Sequence, residues 1–93
     1  MFYELRLGIN DIVAMHVKET QKETQGKPGC FKRVPFGMGC VNFSGIFAHL
    51  EGLGYAGPYT IEMWCEEGKN AKAQIKEAKT FIESQFYSAM QNL

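Results

Sequence analysis

The sequence has no uninterrupted apolar stretch near the roughly 20 residues that a bilayer crossing needs, and no basic flank leads into an apolar signal core at its N-terminus. Neither charge is in surplus, since 10 Lys and Arg balance 10 Asp and Glu. Without a net field nothing draws nucleic acid or an anionic membrane from a distance, so any basic site must be a local cluster. Cysteine is scarce: Cys30, Cys40 and Cys65 are odd in number and show no C-x-x-C spacing. That argues against a closed disulfide framework or a cysteine zinc knuckle, and leaves buried or incidental thiols as the expectation. A cytoplasmic chain with no membrane and no nucleic-acid partner follows, and its 93 residues form a single segment, 1–93.

What is present reads as α/β. Glu4 to Ile9 suits the end of a helix, with Gly8 available for a left-handed cap. Ile12 to Val17 is a short apolar run rich in β-branched residues, as in a parallel strand buried on both faces. From Thr20 to Cys40, Gly26, Pro28, Gly29, Pro35, Gly37 and Gly39 disfavour regular structure and predict a loop of unusual length. Asn42 or Ser44 can cap a helix carrying Phe43, Phe47, Leu50 and Leu53 on one face, with Gly52 or Gly54 to stop it. Tyr59 to Trp64 reads as a second strand between a Gly-Pro turn and an acidic stretch. Asn70 to Leu93 places Ala71, Ile75, Ala78, Ile82, Phe86, Ala89 and Leu93 on one stripe of a closing helix, with Lys72, Lys76, Glu77 and Lys79 towards solvent. The strand-helix-strand passage implies a parallel crossover. Two parallel strands alone leave both sheet edges open, so something outside this chain is expected to complete the sheet.

In parallel α/β architectures the chemistry gathers at the C-terminal ends of strands, where His16 and Glu62 fall. A histidine in an apolar strand is more often a satisfied core residue than a ligand. A carboxylate in a strand buried on both faces demands compensation, which a structural ion pair, a metal or a catalytic site would equally supply. Side by side on adjacent strands, His16 and Glu62 would offer an imidazole nitrogen and a carboxylate to a divalent cation, too few donors for a tight site. Between them, Phe31 to Gly39 combines Lys32 and Arg33 with glycines that let backbone amides approach an anion. A solvated basic loop is the plainer alternative. Trp64 suits either the core or the apolar wall of a sugar site, and His49 suggests no role.

Three stretches, Ala14-Met15-His16-Val17-Lys18-Glu19-Thr20, Gly29 to Phe43 and Gly57-Pro58-Tyr59-Thr60-Ile61-Glu62-Met63-Trp64, together resemble the L-ribulose-5-phosphate 3-epimerase family, also called L-xylulose-5-phosphate 3-epimerases and akin to hexulose-6-phosphate isomerases. The resemblance implies the C-terminal portion of a (β/α)8 TIM-type barrel, namely its last two strands and their helices, incomplete as a monomer. It implies a divalent metal, zinc or manganese, held by two glutamates, an aspartate and a histidine, with His16 as the histidine and Glu62 as the final glutamate. It further implies proton transfer through an enediolate, with Glu62 one of the acid/base pair and the partner carboxylate outside this chain. Lys32, and beside it Arg33, would contact substrate oxygens or phosphate. Lys18-Glu19 is similar to the family's Lys-Asp pair, whereas Met38 stands where an acidic or polar residue is expected. The implied partners are a small sugar phosphate and either further copies of the chain or a complementing barrel fragment, with little turnover by this chain alone. The competing expectation is a non-catalytic α/β remnant that self-associates through its open edges. Other chemistries of the same barrel class, sugar isomerase, inosose dehydratase or abasic-site endonuclease, are a third possibility, and the neutral charge weighs against the nuclease.

Overall fold

Local chemistry fixes the ends of the first long helix. The Asn42 side-chain oxygen accepts a hydrogen bond from the Gly45 N–H at 3.1 Å, which caps helix α1, Phe43–Gly52. At the other end Gly54 takes a left-handed φ of 86°. The Gly54 N–H then donates to the Glu51 carbonyl and the Tyr55 N–H to that of Leu50, the paired bonds of a Schellman ending. Of the two glycines that could stop this helix, Gly54 is the one used.

A computed structural model describes residues 6–23, 26, 28–30 and 34–91. In chain order they form a 3-10 turn at Ile9–Asp11, strand β1 at Met15–Val17, α1, strand β2 at Tyr59–Ile61, and helix α2 at Ala71–Gln91. The strands pair in parallel, with Met15 opposite Tyr59, His16 opposite Thr60 and Val17 opposite Ile61. The pairing is extended at both ends: the Met15 N–H donates to the Pro58 carbonyl and the Glu62 N–H to that of Val17.

Both helices pack on one face of this sheet. The core joins Val17, Phe43, Phe47, Ile82 and Ala89, with Phe36, Val41, Tyr59, Ile61, Phe81, Phe86 and Met90 packed around them. Phe47 is fully buried, its ring centroid 5.0 Å from that of Tyr59 and 5.4 Å from that of Phe86. Edge-on aromatic pairs of this kind contribute beyond the area they bury.

Several sequence expectations need correction. Residues 6–8 are helical, but Gly8 has φ −106° and the chain tightens into the 3-10 turn instead of taking a left-handed cap. The first strand is shorter than the apolar run, because β2 offers partners only from Met15 onward, and Val13 is 85% exposed. Neither strand is buried on both faces, since helices cover one face only. Of the buried or incidental thiols expected, Cys30 and Cys40 are exposed and Cys65 half-buried, which excludes the buried alternative. On α2, Ala78, Ile82 and Ala89 are buried but Ala71 and Ile75 are exposed. At 1.5 Å per residue, the 10-residue α1 cannot cover the 21 residues of α2. Leu93 lies outside the described residues. Among the described residues no helix is long and apolar enough to cross a membrane.

Candidate functional site

The alternation of a β-strand sends successive side chains to opposite faces. Here it delivers Val17, Tyr59 and Ile61 to the helices, and His16, Lys18, Thr60, Glu62 and Trp64 to the uncovered face. On that open face the His16 Nδ1 lies 3.6 Å from one carboxylate oxygen of Glu62, and the Lys18 Nζ lies 3.7 Å from the other. The same ammonium stands 5.8 Å from the centre of the Trp64 ring, within cation–π range. Sequence reasoning paired His16 with Glu62, and the structure brings them together. It differs in their surroundings: their side chains are 62% and 49% exposed, so Glu62 is not the buried carboxylate that its strand suggested.

Two donors tetrahedrally placed about a zinc-sized cation stand about 3.4 Å apart, given metal–ligand distances of about 2.1 Å. The His16–Glu62 separation of 3.6 Å is close to that bite. They fit such an ion as two of its ligands, and no group of three His, Cys, Asp or Glu side chains that could hold one occurs among the described residues. Lys18 holds the second Glu62 oxygen and supplies a fixed positive charge at the site's edge.

The long loop returns to this site. Among the described residues of 20–40 there is no helix or strand, and an isolated antiparallel bridge joins Gln21 to Cys30. Val34 and Phe36 line a small cavity together with Lys18, Glu62, Met63 and Trp64. Lys32 and Arg33, the expected substrate-binding pair, lie outside the described residues. The glycine amides of this loop were expected to suit a phosphate or a polyol; the Gly37 N–H instead donates at 3.0 Å to the carboxylate of Glu19. Trp64 is 45% exposed, which removes it from the core; it lines one cavity with Lys18 and Glu62 and another with Gln74, Glu77 and Ala78 of α2.

Glu19 is the residue that sequence reasoning passed over. It is 3% exposed, and its carboxylate accepts from the N–H groups of Thr20, Gly37 and Val41 at 3.0 to 3.2 Å. Unpaired, a carboxylate so buried would cost several kcal/mol. The available signal was its parity: an acidic side chain two residues beyond Val17 falls on the helix-covered face.

A two-stranded parallel sheet with helices on one face is a part of a β/α barrel. A family described as Xylose isomerase-like TIM barrel matches residues 1–85, and the chain belongs to that family. Within it, the chain is similar to proteins named L-ribulose-5-phosphate 3-epimerase UlaE from Salmonella paratyphi C and Salmonella choleraesuis, each 48% identical over 86 residues, or 92% of this chain and 28% of theirs. SgbU of Escherichia coli K12 is also 48% identical over 86 residues, with 30% of its length covered. The chain therefore spans less than a third of the length of these relatives.

Proposed function

We propose that this chain is a C-terminal segment, residues 1–93, of a metal-dependent epimerase interconverting L-ribulose 5-phosphate and L-xylulose 5-phosphate in the cytoplasm. The observation that carries the reading is the approach of His16 and Glu62 to 3.6 Å on the open face of the sheet. A divalent cation, zinc or manganese, would there stabilise negative charge on the ketose oxygens. His16 Nδ1 and one Glu62 oxygen would be two of its ligands. Glu62 is also the candidate base at the carbon beside the carbonyl, since a half-exposed carboxylate can take up and return a proton. Lys18 places its ammonium 3.7 Å from the second Glu62 oxygen. Trp64 offers a flat apolar wall to the sugar carbons, and Lys32 and Arg33 are assigned to the phosphate from sequence alone.

The remaining ligands and the opposite carboxylate belong to strands outside this chain, so the chain alone turns over little substrate. One structural feature supports a need for completion. A groove of about 760 Å³ runs beside β2, lined by Phe47, Tyr59, Ile61, Ile82, Phe86 and Met90. Since the relatives are more than three times as long, we assign this groove to further strands and helices of the barrel, in a longer polypeptide or a complementing fragment. Small sugar phosphates are the partners this reading requires; nucleic acid and membrane are not.

The test measures intact mass, metal content and epimerisation of L-ribulose 5-phosphate by the purified chain, with and without a separately expressed N-terminal barrel fragment of a relative. Metal-dependent activity that appears on mixing and disappears with E62Q supports the reading. A stable metal-free homo-oligomer that gains no activity would favour a self-associating, non-catalytic module instead.

A further inference from the structure

The Glu19 carboxylate joins parts of the chain that its neighbours keep apart. It sits two residues after β1, directly behind Lys18, and its three N–H donors come from both ends and the inner turn of the long loop. The Cys40 N–H donates to the Thr20 carbonyl at 2.8 Å, closing the loop's base beside it. The inner turn is closed by the Met38 N–H on the Pro35 carbonyl, with Gly37 at φ 91° in its third position, where a type II turn requires positive φ. Gly39 backs directly onto the carboxylate, since a Cβ there would collide with Glu19 and with the Thr20 carbonyl. Among the described residues, the donors to Glu19 are backbone amides.

We infer that Glu19 is a positioning residue: its carboxylate latches the loop through the amides of Gly37 and Val41, and so sets Val34 and Phe36 against Trp64 as the wall of the ligand site. Two observations carry this. Val34 and Phe36 share with Lys18, Glu19, Glu62, Met63 and Trp64 a cavity of only about 10 Å³ and with Met63, Trp64 and Ala78 a second of about 80 Å³, so the loop is seated against Trp64 with little free space. Phe36 also packs at a tilt against Phe43 with centroids 5.5 Å apart, tying the seated loop to the core. Because Lys18 and Glu19 point to opposite faces, one short run of backbone both presents the cation to Glu62 and fixes the loop. A glutamine would replace one acceptor oxygen with an NH2 group facing N–H donors, leaving an amide unmatched and the latch broken.

Trp64 is the sole tryptophan and reports on this seating. In the full chain, E19Q should shift Trp64 emission to the red and speed protease cleavage between residues 20 and 41 about tenfold, while the helical melt stays near wild type. E19D, which keeps two acceptor oxygens, should retain most of the wild-type signal. Amide exchange of the unmodified chain should find Gly37 and Val41 protected; exchange at free-peptide rates would overturn the latch even if E19Q fails to fold. Unchanged emission and cleavage in a folded E19Q would overturn it as well. The ligand arm rests on the proposed function: L-ribulose 5-phosphate should quench Trp64, with E19Q weakening the apparent affinity about tenfold at unchanged melting. Absence of quenching in wild type counts against the epimerase reading, whereas the exchange and emission results still decide the latch.

Discussion

The two faces of the β1–β2 sheet contain residues of one short sequence yet obey different rules. On the covered face Val17, Tyr59 and Ile61 meet Phe47, Ile82 and Phe86, and nearly everything that stabilises the chain lies there. On the open face His16, Glu62 and Trp64 stand about half in solvent and Lys18 is 24% exposed, and ion pairs so placed contribute only about 0–1 kcal/mol. The two glutamates make the contrast sharpest. Glu19 is buried and matched by three backbone N–H groups, whereas Glu62 is half-exposed beside an imidazole and an ammonium. A buried carboxylate held by backbone donors serves structure, and a half-exposed one beside an imidazole and an ammonium is available for chemistry.

Breaking the covered face should produce the largest effect. Phe47→Ala removes a ring packed against Phe43, Tyr59 and Phe86, and should cost about 3–5 kcal/mol in urea unfolding. That is a large fraction of the roughly 5–15 kcal/mol expected of any domain. A loss below about 1 kcal/mol would mean that the helices do not pack on the sheet as described.

The loop that connects the faces comes next. Gly37 adopts φ 91°, and a Cβ there would stand 3.0 Å from the Phe81 ring. Gly37→Ala should therefore cost about 1–3 kcal/mol, with faster proteolysis of residues 20–41. Gly52 is the control, because nothing lies within 4 Å of its missing Cβ and its substitution by alanine within α1 should be neutral to stabilising.

Much of this division was legible in the sequence, and the misses have physical causes. The aromatic spacing of Phe43 and Phe47 located α1, and strand parity with the parallel crossover placed His16 beside Glu62. Their exposure was not legible, because a continuous apolar run such as Ile12 to Val17 fits a strand covered on both sides, whereas the helices of this chain cover one side only. Glu19 was missed because its partners, Gly37 and Val41, are 18 and 22 residues away, and backbone donors leave no mark in composition. The loop glycines were expected to bring amides to a phosphate or a polyol; among the described residues the Gly37 amide meets the chain's own Glu19.

A smaller effect tests the edge of the covered face. The Tyr59 hydroxyl is buried with no hydrogen-bond partner among the described residues, and its pKa is pushed up to about 12, chiefly by burial and then by the charges of Glu51 and Tyr55. The neutral phenol is thus the form that the fold favours. Above pH 10 the unfolded chain releases this proton while the folded chain retains it, so stability present below pH 10 falls between pH 10 and about 12. Tyr59→Phe should raise stability by about 1 kcal/mol at neutral pH and flatten this part of the alkaline decline, read as the difference between the urea midpoints at pH 9 and pH 11. An identical decline in both proteins would place the hydroxyl in contact with water.

The smallest effect belongs to the open face and sharpens the contrast most. His16→Ala and Glu62→Gln should each alter stability by no more than about 0.5 kcal/mol without metal, since both side chains are largely solvated. With only two donors, the chain should hold a divalent cation weakly, and binding at a cation concentration equal to its dissociation constant stabilises by about 0.4 kcal/mol. Manganese is the better probe than zinc, because Cys30 and Cys40 are exposed thiols that would take zinc in folded and unfolded chains alike. A small manganese-dependent rise in the urea midpoint, absent from both variants, would identify His16 and Glu62 as a half-built metal site. A rise that survives in both would locate the cation elsewhere and leave the open face a solvated patch of charge.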